Sequence, residues 1–313
     1  MRIHGLEPLA GGFSGETFVA ESAGERVVVR RYAQRGAGRG PAAAEIDAAV
    51  LRLVRGVLPV PAVLEVRRPD LAANAPGMLV TSFLTGERLD TCLPDLGEQA
   101  RVAVARNLGR VLGRLAQMPM LRPGQFADPD LRIQPWAEAP DLLAWVRYQR
   151  AHSGLADWPD AAYAGLCSVA GAAQELLDEV DRACLVHSDF NPKNMLVNPV
   201  DGKVTGLLDW EFAHAGHPMT DLGNLLRFDR APAFADAVLD GYLDLAGHLD
   251  GLSGKGSRER LLGLARAADL AALIELAGRR GQNPVAGRAD AQLRAIAAAG
   301  DLHAAAVRIT GRS

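Results

Sequence analysis

Short runs of strand-like residues dominate the first third of the chain, and apolar positions recurring every three or four residues dominate the rest. Residues 6–10, 17–21 and 26–31 are short segments separated by glycine-bearing turns, which predicts a hairpin sheet. From Pro41 to about Arg55, Ile46, Val50, Leu51 and Val54 form the apolar stripe of a helix, with proline suited to its first turn. The prolines in Leu58-Pro59-Val60-Pro61 push the residues before them into extended backbone. Strands resume at 62–66 and 77–86, the latter ending at Gly86. Beyond Gly97 the pattern is helical, and Val102, Ala105, Leu108, Val111, Leu112 and Leu115 are predicted core. Residues 119–140, rich in Pro, Asp and Gly, read as a long connection. Further helices are predicted near 141–152, 160–181, 220–228, 231–247, 257–281 and 289–299, with a short flexible connection at 251–256 and no internal repeat. The order predicts an α+β fold with a small antiparallel sheet lobe carrying one helix (1–85) and a larger, mainly helical lobe (86–313).

Composition narrows the setting. A chain of 313 residues, 49% hydrophobic, is long enough to bury one or two cores. A net charge of −3 implies no nucleic-acid partner. Cys92, Cys167 and Cys184 lack paired spacing, so neither a disulfide framework nor a zinc site is expected. The first residues do not read as a signal peptide, and no apolar run approaches the roughly 18 residues that span a bilayer. The expectation is a soluble cytoplasmic protein without membrane contact, its oligomeric state left open. Lys193, Lys203 and Lys255 are the only lysines, so a cation wanted elsewhere has to be sought among arginines.

The chemistry concentrates late in the chain, in His187-Ser188-Asp189-Phe190-Asn191-Pro192-Lys193-Asn194 and Leu207-Leu208-Asp209-Trp210-Glu211. Strand-like residues flank both: 184–186, 195–197 and 204–208. Phosphoryl transfer from ATP needs a carboxylate to orient the attacking hydroxyl and accept its proton. It also needs an amide oxygen and a second carboxylate to hold Mg²⁺ against the phosphates. Asp189, Asn194 and Asp209 supply these types on neighbouring strand ends. Asx residues also serve ordinary strand-to-loop turns. The strand ending in Asp at short range weighs against that plainer reading.

Through these motifs, and through 215–225 (Ala-Gly-His-Pro-Met-Thr-Asp-Leu-Gly-Asn-Leu), the chain resembles the aminoglycoside phosphotransferase-type small-molecule kinases of the protein-kinase-like fold. It departs from protein kinases in having Asp209-Trp210-Glu211 in place of Asp-Phe-Gly and no following Ala-Pro-Glu, which argues against a protein substrate. The resemblance implies a bilobal fold with Asp189 as catalytic base, Asn194 and Asp209 as metal ligands, and ATP (GTP as alternative) with Mg²⁺ as cofactors. In the first lobe, Gly11, Gly12, Ser14 and Gly15 would form a phosphate-binding turn, which a simple hairpin turn would equally explain. Arg30 would face the phosphates, held by Glu45 on the following helix. The strand at 77–86 would be the interlobe hinge, the backbones of Ser82 and Leu84 meeting adenine and Phe83 pointing away.

The remaining residues carry alternatives. His187 reads as structural, and Asp221 as a holder of the catalytic-loop backbone. Lys193 reads as solvated, with the γ-phosphate as its alternative partner. Glu211 would add negative charge to an acceptor pocket or lie at a surface loop. Asp240, Asp244 and Glu275 are further acids for a cationic acceptor. Trp136, Trp145 and Trp158 lie where the family builds its acceptor pocket, although packing explains a helical Trp as well. The expected partner is a small-molecule hydroxyl acceptor: an aminoglycoside, macrolide or basic peptide antibiotic. The alternatives are a metabolic kinase of a small amino alcohol or sugar, or an inactive nucleotide-binding module.

Overall fold

The β-branched run Val27-Val28-Val29 sits at the centre of a five-stranded antiparallel sheet. The computed structural model describes residues 3–9, 16–32, 39–70, 72–136, 141–228, 231–252, 254 and 256–306. Its first sheet contains β1 (His4–Pro8), β2 (Glu16–Ser22), β3 (Glu25–Tyr32), β4 (Val63–Arg67) and β5 (Gly77–Ser82), in the order β1-β2-β3-β5-β4. Successive side chains along a strand alternate faces. Val27 and Val29 therefore pack with Ala20 and Val80 in a small core, while Arg30 and Tyr32 point to the opposite face. There Tyr32 reaches helix α1 (Ala43–Val54), its hydroxyl 2.7 Å from Asp47. Gly11, Gly12, Ser14 and Gly15 lie outside the described residues.

After β5 come β6 (Glu87–Arg88), α2 (Leu89–Cys92), α3 (Glu98–Ala116), β7 (Pro119–Met120), β8 (Gly124–Phe126), β9 (Ile133–Gln134), α4 (Leu142–His152) and α5 (Asp160–Leu177). The segment bearing both motifs follows as β10 (Ala183–Val186), β11 (Met195–Val197), β12 (Val204–Leu207) and β13 (His214–Gly216). It leads into α6 (Thr220–Leu226), α7 (Pro232–Ala246), α8 (Ser257–Gly278) and α9 (Pro284–Ala299). Two further antiparallel sheets, β7-β10-β13-β8-β9 and β12-β11-β6, carry the loops that matter chemically.

The largest core joins the two parts of the chain. Ile46, Val50, Val54 and Leu79 share it with Leu108, Leu185, Trp210 and Leu222. A second core lies among α4, α5, α8 and α9, around Val146, Leu166, Ile274 and Leu293. Helices α3 and α7 approach closely because glycine sits on both sides. A Cβ at Gly109 would lie 2.0 Å from the Val238 carbonyl oxygen, and one at Gly241 would lie 2.1 Å from that of Arg106.

Most predicted elements are present with ends moved by a few residues. The 160–181 helix stops at Leu177, and the last one begins earlier, at Pro284, where the Asn283 side chain caps the Ala286 N–H at 2.9 Å. The predicted connection 119–140 carries β7, β8 and β9, which pair with β10 and β13 far along the chain. No helix among the described residues is long and apolar enough to cross a membrane.

Candidate active site

Four consecutive buried residues, Ala183–Val186, form β10 between β7 and β13 and deliver the chain to His187 inside the core. The turn that follows depends on Asp221, at the start of α6. One of its carboxylate oxygens accepts the His187 N–H and the other the Ser188 N–H, each at 2.7 Å. Ser188 adopts φ 66°, a left-handed conformation that this anchoring holds in place. Burial pushes the Asp221 carboxyl above its usual range, although the two N–H donors oppose the shift.

The His187 ring joins the two motif loops. Its Nδ1 accepts the Asp189 N–H at 3.2 Å, which leaves Nε2–H to donate to the Leu208 carbonyl at 2.8 Å. The Leu208 N–H in turn donates to the Asn194 carbonyl at 2.9 Å. Leu208 is thus held from both sides, and Asp209 follows it at φ 63°, again left-handed. Trp210 packs on the His187 ring, 4.6 Å between centroids, and its indole N–H donates to the Leu207 carbonyl.

Asp189 is held as an acceptor. Asn191 Nδ2 lies 2.6 Å from its Oδ1, Asn194 Nδ2 2.7 Å from its Oδ2, and Lys193 Nζ 3.2 Å from Oδ2. Because the Asn194 amide directs its nitrogen to Asp189, its oxygen is the atom left to meet a cation. Asp189, Asn194 and Asp209 therefore fall on two loops that are hydrogen-bonded to each other. Lys193 is paired with Asp189 while remaining half-exposed.

Arg30 crosses to the same place from β3. Its Nη1 lies 2.6 Å from Asp209 Oδ1 and its Nη2 2.5 Å from Glu211 Oε2, with the guanidinium 5.3 Å from the Tyr32 ring centroid. Burial works against the charge, but Asp209, and after it Tyr32 and Glu211, push the Arg30 pKa above its already high usual value. The expected Arg30–Glu45 pair is replaced by this arrangement. Glu45 bonds exposed Arg68 at 2.8 Å. Two helix positions correspond to about 200° of rotation, so it is Asp47 that faces inward. Buried Asp47 accepts from the Tyr32 hydroxyl and from Arg39, each at 2.7 Å, and Arg39 also donates to the Ala213 carbonyl beyond the Asp209 loop. The sequence reading missed Asp47. Its signal was an acid in the buried stripe of Ala43, Val50 and Val54.

Other expected residues also shift. The Ser82 N–H is engaged by the Ala62 carbonyl at 2.9 Å, and the Phe83 N–H by that of Arg26 at 3.3 Å. The Phe83 ring turns to Arg26, whose guanidinium lies 3.7 Å from its centroid. Among the described residues no backbone carbonyl accepts the Leu84 N–H. Glu211 meets Arg30 instead of opening into an acceptor pocket. Asp240 pairs with Arg106 and Arg258, Asp244 with Arg106 and Arg110, and Glu275 with Arg279. Trp158 is buried and bonds Asp290, and half-exposed Trp136 meets the His214 ring edge-on. Trp145 donates to the Ala271 carbonyl and stacks on Tyr148. With Tyr148, His152, Glu275 and Arg279 it lines a cleft of about 520 Å³ between α4 and α8.

The donor set suits a hard cation. It offers one amide oxygen and a carboxylate with a second oxygen beyond the one facing Arg30. Among the described residues no three His, Cys, Asp or Glu side chains form a metal cage. Mg²⁺ is commonly bound by one or two carboxylates together with substrate phosphates.

Comparison with solved structures gives the same fold. Aminoglycoside phosphotransferase APH(4)-Ia, as a thermostable mutant in ternary complex with ADP and hygromycin B, is 17% identical over 95% of either chain with a TM-score of 0.65. The GDP complex of aminoglycoside 2'-phosphotransferase-IIIa is 16% identical, covering 96% of this chain and 94% of that one, also with a TM-score of 0.65. Among curated proteins, acyl-CoA dehydrogenase family member 11 is 42% identical in Mus musculus and 34% in Homo sapiens, each over 55 residues. That match spans 18% of this chain but only 7% of the length of those relatives. The sequence profile described as the phosphotransferase enzyme family matches residues 5–254, which takes in both loops and the Arg30 strand. On that match and the kinase-like fold around it, the chain belongs to the phosphotransferase enzyme family.

Proposed function

We propose that this phosphotransferase is a Mg²⁺-dependent kinase that moves the γ-phosphoryl group of ATP, with GTP as the alternative donor, to a hydroxyl of a small molecule. The observation that carries the reading is the tie between the two loops: Asp189 bonded to Asn194, and Asn194 and His187 both bonded to the residue before Asp209. In this reading residues 1–85 supply the nucleotide side, including the hinge N–H of Leu84 and the residues Gly11, Gly12, Ser14 and Gly15. Residues 86–313 supply the reaction and the acceptor side.

Asp189 accepts the proton of the attacking hydroxyl and orients its oxygen towards the γ-phosphorus. Asn194 and Asp209 would hold the metal, which when bound neutralises phosphate charge. Arg30 would meet the phosphates through the guanidinium N–H donors that Asp209 and Glu211 leave over. Nucleotide complexes of the structural neighbours support the donor, with ADP and AMP-PNP in APH(4)-Ia and GDP in the 2'-phosphotransferase. The test is transfer of labelled γ-phosphate to a panel of hydroxyl compounds with Mg²⁺ present, followed by identification of the phosphorylated atom. Release of inorganic phosphate with no phosphorylated acceptor counts against the reading.

The hygromycin B complex of a neighbour favours an aminoglycoside or another basic antibiotic as acceptor. One observation favours the second reading, a small amino alcohol or sugar. The carboxylates that would greet a polycation already have cationic partners: Asp189 has Lys193, Glu211 has Arg30, and Glu275 has Arg279. Affinity for a polycationic acceptor would fall with added salt, whereas a neutral one would show little dependence.

A further inference from the structure

Helix α1 carries two acids near β3, Glu45 and Asp47, and both are engaged elsewhere. Glu45 serves Arg68, and Asp47 serves Tyr32 and Arg39. Arg30 instead spreads its two terminal nitrogens over Asp209 and Glu211. The pair is sheltered, with 16% of the Arg30 side chain and 17% of that of Glu211 exposed. Trp210, between the two acids, is buried and anchored to Leu207, so both carboxylates stand on one fixed turn. Below the guanidinium lies Tyr32, which Asp47 holds in turn.

We propose that Glu211 is the positioning residue for Arg30: it fixes from the catalytic loop the cation that meets the nucleotide phosphates, a task α1 does not perform in this chain. The inference rests on the kinase reading. With Asp209 as its one catalytic-loop carboxylate, the guanidinium would follow that group and compete with a metal for it. A second carboxylate, on the other nitrogen, fixes the plane and direction of the fork. Glu211 then acts on nucleotide binding and not on the acceptor, the reverse of the role its neighbourhood suggests.

The experiment is nucleotide titration by calorimetry on the full chain, with ATP and Mg²⁺ and with ADP in the absence of metal, alongside steady-state kinetics. Glu211→Gln should weaken both nucleotides by on the order of tenfold. The acceptor KM should stay unchanged. Arg30→Ala should lose at least as much, and Arg30→Ala/Glu211→Gln should be no worse than Arg30→Ala alone. Glu45→Gln should match the wild type. If Glu211→Gln fails to fold, Glu211→Asp, which keeps the charge on a shorter arm, should show a smaller loss in the same direction. Strict additivity of Arg30→Ala and Glu211→Gln, or a Glu211 variant that changes only the acceptor KM, overturns the proposal. A wild-type chain that binds no nucleotide removes the kinase reading itself, a result distinct from either of these.

Discussion

The His187 ring donates from Nε2 to the Leu208 carbonyl at 2.8 Å, binding the loop that carries Asp189 to the loop that carries Asp209. Phenylalanine at 187 keeps the packing against Trp210 but leaves the Leu208 carbonyl and the Asp189 N–H without their partner. Leaving buried polar groups unsatisfied costs roughly 1–3 kcal/mol. His187→Phe should therefore lower the melting temperature and raise the Mg²⁺ concentration needed for half-maximal activity. An unchanged melt together with an unchanged Mg²⁺ requirement would show that the tie has no role.

Asp47 and Glu45, two residues apart on α1, should behave very differently. Burial pushes the Asp47 carboxyl up and the Arg39 guanidinium down, even though the two lie 2.7 Å apart. Removing one partner of a buried pair leaves the other charge uncompensated and costs about 3–5 kcal/mol. Glu45 meets a largely exposed arginine, a class of pair worth about 0–1 kcal/mol. Denaturant unfolding of Asp47→Ala and Glu45→Ala should show this contrast. Equal losses would mean that the inward acid has been misassigned.

The contrast shows which parts of the site the sequence made legible. Asp189, Asn194 and Asp209 stood out because their spacing and their flanking apolar strands are local features. Arg30 was recognisable as the cation closing a buried strand. Its partners were not, because Asp209 and Glu211 lie 179 and 181 residues away and only the meeting of the two parts of the chain brings them together. Glu45 looked right by position, but helical phase selects Asp47. Strands β7 and β9, of two residues each, have no periodicity to read and exist only through distant pairing.

His214 gives the fold a pH dependence. Burial, assisted by the charge of Arg39, pushes its imidazole down to about 4, although the Phe212 carbonyl facing Nδ1 opposes the shift. In the unfolded chain the ring titrates near 6.5. Between those values the unfolded state binds more protons, so the stabilisation is complete above about pH 6.5 and is lost as pH falls towards 4. For a partly exposed ring the effect should be on the order of 2 kcal/mol. Asp47 and Asp221, whose carboxyls burial pushes up, act in the opposite sense, their stabilisation fading as pH rises. The His214 share is therefore the difference between wild type and His214→Gln, melted from pH 7 to pH 4. Parallel curves for the two proteins would be inconsistent with a proton-averse ring.

If Asp189 is the base of a hydroxyl kinase, as proposed, pairing nucleotide affinity with phosphoryl transfer in Asp189→Asn tests it most directly. Both proteins would be titrated with ATP and Mg²⁺, then assayed for γ-phosphate transfer to the best acceptor from a panel of neutral, anionic and polycationic hydroxyl compounds. The side chain of Asp189 bonds Asn191, Asn194 and Lys193, none of which belongs to the Arg30–Asp209–Glu211 cluster proposed to serve the nucleotide. ATP affinity should thus remain close to that of the wild type. Loss of a positioned base typically costs about 10²–10⁴-fold in rate, and transfer should fall by that amount. Wild-type transfer rates in Asp189→Asn would contradict the account.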